Sequence, residues 1–361
     1  MKVAYCTGFW CTNIGNGFFS MGVEYALEKV LGEENVTVVS DLQTYTTGYG
    51  KRLYVDRNQL EYISCLDVDY VVLAGPVISK YFLSLWKDIL IKLRERGIGY
   101  ILLSMGTMKM NEAAYRDICE FFTECPPYAL SSRDETVYRE FGKYAKHAYN
   151  GICFSFFVPD VYAPCGMSGL APYAVFNFDK IQEPKVWIGS DVNGEAVQRF
   201  EFDGEMFHVA YPRMLTAFSA KTDRFTDALI YASSMLPAPR REDVVGKYRI
   251  VRTDHRFHPH YRGKIYRRKN SYVADIPYGY LNLYANARFT LSDRVHACAV
   301  TLAFGGSAML YSKTNRAGLL ERVGAVDICR TLVKLDMDKL EREKRMELEW
   351  LQSISDKRDT E

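Results

Sequence analysis

The sequence predicts an α/β protein of two domains in tandem, each built from alternating strands and helices. Three observations predict this class. The chain has 361 residues, which is enough for two domains of about 150 residues each. In both halves, short apolar runs alternate with helical patterns, as in parallel βαβ units. A stretch rich in proline and glycine, Pro159–Pro172, separates the two series and is a candidate linker.

In the first half, each expected strand is a short apolar run, and each expected helix spaces its apolar residues by three and four. The expected strands are Lys2–Thr7, Val36–Ser40, Tyr70–Leu73, Gly99–Ser104 and Ala129–Ser131. The expected helices are Phe18–Leu31, Leu83–Glu95, Asn111–Thr123 and Glu135–Phe141.

The second half repeats the alternation and ends in a charged amphipathic helix over Met337–Trp350. The expected strands are Ala174–Phe178, Met206–Ala210, Tyr248–Val251, Phe289–Ser292 and Ala308–Tyr311. The expected helices are Thr226–Met235, Tyr280–Ala285 and Ala297–Phe304. We therefore expect domains over 1–165 and 166–335, followed by a C-terminal helix over 336–361. Open parallel sheets bind ligands beyond the carboxyl ends of their strands, so we expect a ligand cleft between the two domains.

Composition and charge exclude several classes. Hydrophobic residues make up 48% and charged residues 25%, which is ordinary for a folded protein and excludes a mainly disordered one. The 46 basic and 44 acidic residues are too balanced for a general nucleic-acid-binding protein. The nine cysteines form no CxxC pair, which disfavours a zinc ribbon or a redox motif and favours a reducing cytoplasm. No signal peptide or transmembrane helix is expected, because long apolar stretches are missing.

Three loops at predicted strand ends are candidate ligand contacts. Asn13, Gly15 and Asn16 precede the first expected helix, where backbone amides can face an anion; a tight turn without a ligand is equally compatible. The segment 73–76, Leu-Ala-Gly-Pro, permits close backbone approach to a ligand or forms a simple turn. Arg133 can bind a carboxylate or phosphate through its fork, or pair structurally with Asp134 beside a helix cap.

The most specific motif is the segment 291–297, which closes a predicted strand and opens an apolar helix. It places Asp293, Arg294 and His296 together at a strand carboxyl end and a helix N-terminus. A helix N-terminus favours anions, Arg294 adds a permanent planar cation, and His296 can transfer a proton near neutral pH. This combination favours a catalytic role over a structural one.

A basic, histidine-containing segment follows the expected strand Tyr248–Val251. Nine lysines and arginines but only one acid, Asp254, lie between Lys247 and Tyr272, which indicates an anionic ligand or surface, or else a solvated basic loop. Arg252 and His255 follow the strand and are candidate ligand contacts. We predict no metal at the three histidines His255, His258 and His260, because their spacing matches no standard zinc pattern and the arginines repel a cation.

Taken in order, these motifs resemble the polysaccharide pyruvyl transferase family. The matching segments are Asn13–Asn16, Ala74–Pro76, Ser131–Asp134 and Ser292–Ala297, with Asn16 where the family has Asp. The resemblance extends over about 1–160 and 245–330. It implies a glycosyltransferase-B-like fold, in which two Rossmann-like lobes face a cleft, and the transfer of pyruvate from phosphoenolpyruvate to two hydroxyls of one sugar. The products would be a cyclic ketal and phosphate.

The resemblance implies His296 and Asp293 as catalytic residues in the C-terminal lobe. The donor's carboxylate and phosphate would be held by the cations and polar groups found above: Arg294, Arg133, Arg252, His255, Asn13, Gly15 and Asn16. No cofactor or metal is expected, and phosphoenolpyruvate is a co-substrate. The acceptor is a sugar in polysaccharide or exopolysaccharide biosynthesis. If a lipid carries it, the basic segment would suit peripheral contact with the inner face of the membrane.

Two alternatives remain open at this point. A nucleotide-sugar glycosyltransferase could share the fold, with Glu321 as its candidate for the ribose hydroxyls. A non-catalytic relative could keep the fold and bind ligand without turnover. Fold analogy does not choose among the three.

Overall fold

The computed structural model describes residues 1–7, 13–41, 61–106, 108, 110–178, 183–189, 197–210, 243–255, 270–311 and 317–356. The chain divides into two compact units. The first comprises Met1–Phe9, Asn16–Val161 and Met337–Glu361, and the second comprises Trp10–Gly15 and Tyr162–Asp336. The C-terminal helix therefore belongs to the first unit.

The first unit contains a six-stranded parallel sheet of order β2-β1-β3-β4-β5-β6. Its strands are β1 (Val3–Thr7), β2 (Val36–Ser40), β3 (Tyr70–Ala74), β4 (Gly99–Met105), β5 (Ala129–Ser132) and β6 (His147–Asn150). Its helices are α1 (Ile14–Leu31), α2 (Phe82–Glu95), α3 (Glu112–Glu124), α4 (Glu135–Phe141), α5 (Val158–Val161) and, from the C-terminal end of the chain, α9 (Met337–Asp356).

Local sequence explains these boundaries. The buried face of α2 carries Trp86, Ile89 and Leu93 at helical spacing, so the helix buries an apolar stripe against the sheet. Asn111 and Asp134 cap α3 and α4 by accepting backbone N–H groups through their side chains at 2.9 Å. The central strands are buried throughout, as in sheets covered on both faces.

The second unit contains a sheet of order β11-β12-β7-β14-β15, with the short β13 also paired to β12. All its pairs are parallel except β11 with β12. The strands are β7 (Tyr173–Asn177), β11 (Val244–Val245), β12 (Tyr248–Thr253), β13 (Ser271–Tyr272), β14 (Phe289–Ser292) and β15 (Ser307–Leu310). The helices are α6 (Tyr278–Asn286), α7 (Val295–Ala303) and α8 (Gly318–Glu321).

A three-stranded antiparallel sheet of order β8-β10-β9 packs on one face of this parallel sheet. It comprises β8 (Lys185–Ile188), β9 (Val197–Phe202) and β10 (Glu205–Ala210). The rings of Phe200 and Phe207 stack on each other and meet Phe289 edge to face. This antiparallel sheet was not predicted; of its three strands, only β10 corresponds to an expected strand, Met206–Ala210. The missed signal is the Asp203-Gly204 turn, in which both residues have positive φ, between two runs of alternating apolar residues.

Most predicted elements are confirmed, and the strands predicted in the first half begin and end within one residue of those found. The clearest difference is at α1, which begins at Ile14 instead of Phe18. The expected loop of glycines and asparagines is thus the first helical turn, because Asn13 and Ile14 are held by the hydrogen bonds described below. The expected helix Thr226–Met235 lies outside the described residues. No helix among those described is long and apolar enough to cross a membrane.

Candidate functional site

Titratable residues gather at the carboxyl ends of β12 and β14 in the second unit. Both strands pair with β7 in parallel, so their ends lie at the same edge of the sheet. Asp254 and His255 follow β12, while Asp293 follows β14 and Arg294 immediately precedes α7. His296 is in the first turn of α7. All are buried except Arg294, which is half-buried. Such burial of ionisable groups at a sheet edge is typical of a ligand site.

Hydrogen bonds fix the turn between β14 and α7. The Ser292 hydroxyl accepts the Arg294 backbone N–H at 2.8 Å. The Asp293 backbone N–H donates to the Asn177 carbonyl at 3.0 Å, which extends the ladder between β14 and β7. Arg294 is the N-cap residue of α7 but makes no side-chain cap, so its guanidinium is not used to start the helix. These hydrogen bonds thus fix the backbone of the turn that carries the three ionisable side chains.

Two tyrosines of α6 hold the segment after β12. His255 Nε2 lies 2.6 Å from the Tyr284 hydroxyl, which is also 3.1 Å from the Thr253 hydroxyl. The Tyr280 hydroxyl donates to the Asp254 carbonyl at 2.8 Å. His255 therefore has a fixed ring orientation before any ligand arrives. These tyrosines were not among the residues predicted for the site; their spacing of four on an apolar helix was the available signal.

The start of α1 contacts both histidines of this group. The Ile14 N–H donates to the His255 carbonyl at 2.9 Å, and the Gly15 N–H donates to Asn13 Oδ1 at 3.1 Å. A Cβ at Gly15 would lie 3.1 Å from both Cβ and Nδ1 of His296. The structure thus brings Asn13 and Gly15 together with His255 and His296. Asn16, one residue further along α1, is half-buried and belongs to the first unit.

Arg133 is in the first unit, directly after β5, and its side chain is buried. Its Nη1 lies 3.9 Å from Cys153 Sγ and its guanidinium 5.7 Å from the centre of the Phe19 ring. Among the described residues, no carboxylate forms an ion pair with it. Asp134 instead caps α4; burial raises the pKa of its carboxyl, and the Arg133 charge offsets part of that rise. A buried arginine without a paired carboxylate is suited to an anionic ligand.

Arg252 has a different environment from the other candidate arginines. Its Nε and Nη2 donate to the two Glu183 carboxylate oxygens at 2.9 and 3.0 Å, and its Nη1 donates to Asp243 at 3.0 Å. The side chain is 2% exposed. Because two protein carboxylates already bind this guanidinium, we do not propose Arg252 as a contact of the donor.

Gly75, at the end of β3, has a positive φ of 79°, and a Cβ there would overlap the Phe19 ring. This glycine is therefore required for the packing of Phe19, the ring that lies beside Arg133. The close approach of a ligand to segment 73–76 stays a prediction. Glu321, the candidate for the alternative glycosyltransferase, is exposed at the end of α8.

The other histidines of the basic segment, His258 and His260, lie outside the described residues. Within the residues that are described, no group of three His, Cys, Asp or Glu side chains is arranged to hold a metal ion. The absence of a metal at the histidine segment stays a prediction.

Comparison with solved structures identifies the fold class. A putative UDP-N-acetylglucosamine 2-epimerase from Listeria monocytogenes superposes with a TM-score of 0.50 at 9% identity, over 96% of this chain and 87% of that one. The S. aureus MnaA–UDP structure gives 0.49 at 9% identity, over 98% and 91%. At such identities the likeness concerns the fold alone, which is glycosyltransferase-B-like, with two Rossmann-like lobes.

The family follows from the sequence model that matches residues 13–311, which describes polysaccharide pyruvyl transferases. The chain belongs to the polysaccharide pyruvyl transferase family. The match spans every candidate residue discussed above except Glu321. A search of curated proteins gave no match.

Proposed function

We propose that this protein transfers pyruvate from phosphoenolpyruvate to two hydroxyls of one sugar in a polysaccharide or glycoconjugate precursor. The carrying observation is the placement of Asp293, Arg294 and His296, within the matched family region, on one rigid turn at a strand carboxyl end. Open parallel sheets bind their ligands at such ends.

The reaction sets clear demands on the site. One sugar hydroxyl adds to C2 of phosphoenolpyruvate while C3 takes up a proton, and a second hydroxyl then displaces phosphate at the same carbon. The two sugar hydroxyls lose one proton each. One of these protons is balanced by the proton that C3 gains, and the other leaves with phosphate or is taken up by a base. The site must therefore supply an acid, a base and cations for the carboxylate and phosphate.

The residues at the edge of β14 meet these demands. His296 delivers or accepts the proton, because imidazole titrates near neutral pH. Asp293 is the second catalytic residue, a buried carboxylate three residues before His296 that can stabilise its cationic form. Arg294 binds an anionic group of the donor through its fork. His255, Asn13 and Gly15 complete the donor contacts of the second unit.

Arg133 and Asn16 are the donor contacts that we propose for the first unit. The support for Arg133 is its burial without a paired carboxylate among the described residues. An uncompensated buried charge is costly, so a ligand anion that neutralises it binds favourably.

The proposed reaction needs no further cofactor or metal, because arginines supply the positive charge and phosphoenolpyruvate carries the leaving group. The acceptor is a sugar, and a lipid carrier for it would place the protein at the cytoplasmic face of a membrane.

The test is phosphate release by the purified protein. Phosphoenolpyruvate with a panel of saccharides, free and lipid-linked, should yield phosphate and a product heavier by one pyruvate ketal. Turnover of nucleotide sugars instead would indicate the alternative glycosyltransferase. Binding of phosphoenolpyruvate without turnover of any acceptor would favour a non-catalytic relative.

A further inference from the structure

The C-terminal helix α9 places a buried carboxylate against the chain that follows β6. The side chain of Glu347 has no exposed surface, and its Oε2 accepts the Ile152 backbone N–H at 2.9 Å, across 195 positions of sequence. Gly151 leaves the room for this carboxylate, since a Cβ at position 151 would overlap Oε2. The missing side chain of Gly151 thus makes room for the buried carboxylate of Glu347.

The hydrogen bond has a clear structural cause. β6 is an edge strand of its sheet, so alternate N–H groups point away from β5. The Gly151 N–H still continues the ladder and donates to the Ser132 carbonyl at 2.9 Å. The next N–H, that of Ile152, is buried and has no neighbouring strand. A buried backbone donor must be satisfied, and Glu347 does so from another element.

The segment fixed in this way leads directly to the candidate anion-binding arginine. Ser132, which accepts from Gly151, precedes Arg133 in the chain. Cys153, next after Ile152, places Sγ 3.9 Å from Arg133 Nη1. The Ser155 hydroxyl lies 3.2 Å from the same sulfur. The backbone of Ser132, next to Arg133 in the chain, and the Arg133 guanidinium are therefore both in contact with the segment that Glu347 holds.

The remaining sides of Arg133 are packed. A Cβ at Gly106 would lie 2.6 Å from Arg133 Nε, so the guanidinium lies close to that backbone, and the Phe19 ring centre is 5.7 Å from its Cζ. Among the described residues, Cys153 is the polar side-chain contact of Arg133. A displacement of segment 151–155 would thus change the direction of the Arg133 guanidinium more than it would change the burial of that side chain.

We propose that Glu347 is a positioning residue for Arg133, acting through the Ile152 N–H and Cys153. The identity of the anion that Arg133 binds rests on the function proposed above; the positioning of Arg133 by Glu347 does not. The C-terminal helix would therefore set the donor affinity of an arginine that lies more than 200 positions earlier in the sequence.

The test compares Glu347→Ala, which removes the acceptor, with Glu347→Gln, which keeps a carbonyl oxygen for Ile152. Two control variants loosen the same helix elsewhere. Lys344→Ala breaks the 2.6 Å ion pair with Asp160, and Tyr128→Phe removes the 2.9 Å bond to the Ile354 carbonyl. Neither control residue contacts the segment 151–155 by a hydrogen bond of the described structure.

The first measurement is amide hydrogen exchange without substrate. Glu347→Ala should accelerate exchange about tenfold or more in peptides covering 150–156 and 129–134, while Glu347→Gln and the controls leave both peptides within about twofold of wild type. The second is steady-state kinetics. Glu347→Ala should raise the KM for phosphoenolpyruvate about 5- to 20-fold, with kcat changed less than about threefold. Glu347→Gln should have a KM close to that of wild type.

The outcomes separate the two proposals. If wild type turns over phosphoenolpyruvate and Glu347→Ala keeps its KM, or if the controls raise the KM equally, the positioning role is overturned. If exchange responds as expected but wild type never uses phosphoenolpyruvate, the proposed reaction fails and the positioning of Arg133 stands.

Discussion

At the scale of single residues, His296 carries the strongest functional expectation. Its position in the first turn of α7, beside Arg294, makes it the group that can protonate C3 of the donor. His296→Asn should lower kcat about 100-fold or more, the usual effect of removing an acid–base group, with little change in melting temperature. The measurement is phosphate release at saturating substrates. His147→Asn, in the first unit, is the control, and a His296→Asn rate near wild type would exclude the assignment.

Arg294 tests whether the donor is held by a planar fork. Arg294→Lys keeps the charge but loses the paired donors, so the apparent affinity for phosphoenolpyruvate should fall about tenfold. Titration with phosphoenolpyruvate by calorimetry measures this directly. Arg330→Lys, at an 84% exposed side chain, is the matched control. Equal affinity in Arg294→Lys and wild type would contradict a bidentate contact.

The arginines also show what sequence reveals about a site. Order along the chain and strand-end position were enough to select Arg133, Arg252 and Arg294 as candidates. They could not separate a paired arginine from an unpaired one, because Glu183 and Asp243 reach Arg252 only through tertiary folding. Arg252→Lys should accordingly lower thermal stability, since it disrupts a buried ion-pair network.

At the scale of elements, most of the parallel strands were predictable because their apolar runs are short, continuous and bounded by small or polar residues. The half-buried edge strand β6 was not predicted, since it has no apolar run. The start of α1 was not, because Asn13, Gly15, Asn16 and Gly17 have turn-forming composition. Tertiary contacts override that composition: the His255 carbonyl accepts the Ile14 N–H and fixes the first turn. The antiparallel sheet was not predicted either, because the sequence of a strand does not show which strand it pairs with. Tertiary contacts decide that pairing.

The contact between Gly15 and His296, which both belong to the second unit, gives a prediction at this scale. Gly15→Ala adds a Cβ 3.1 Å from the His296 ring, which is tighter than ordinary van der Waals contact, so the imidazole must shift by a few tenths of an ångström. Because catalysis depends on geometry, kcat should fall about tenfold while the melting temperature changes little. Gly166→Ala, where a Cβ has no neighbour within 4 Å, is the control. A normal kcat in Gly15→Ala would show that His296 tolerates displacement.

At the scale of the whole molecule, the first unit is assembled from distant parts of the chain. One buried carboxylate of this unit, that of Asp41, is expected to make its stability depend on pH. This residue follows β2, and burial raises the pKa of its carboxyl to about 7. The unfolded value is about 3.9, so the folded state binds more protons between these limits. The free energy of unfolding should therefore decrease as pH rises from about 4 to about 7, and then level off.

Asp41→Asn removes this titration, because the amide is neutral at every pH. The variant should match wild type near pH 4 and be more stable at pH 8, by about 1–2 kcal/mol once the partial exposure of the side chain is allowed for. Melting temperatures of both proteins across pH 4–8 measure the effect. Asp88→Asn, an exposed carboxylate of the same unit, should reproduce the wild-type curve. Parallel curves for Asp41→Asn and wild type would show that folding does not raise the pKa of Asp41, because equal pKa values in the folded and unfolded states contribute no slope.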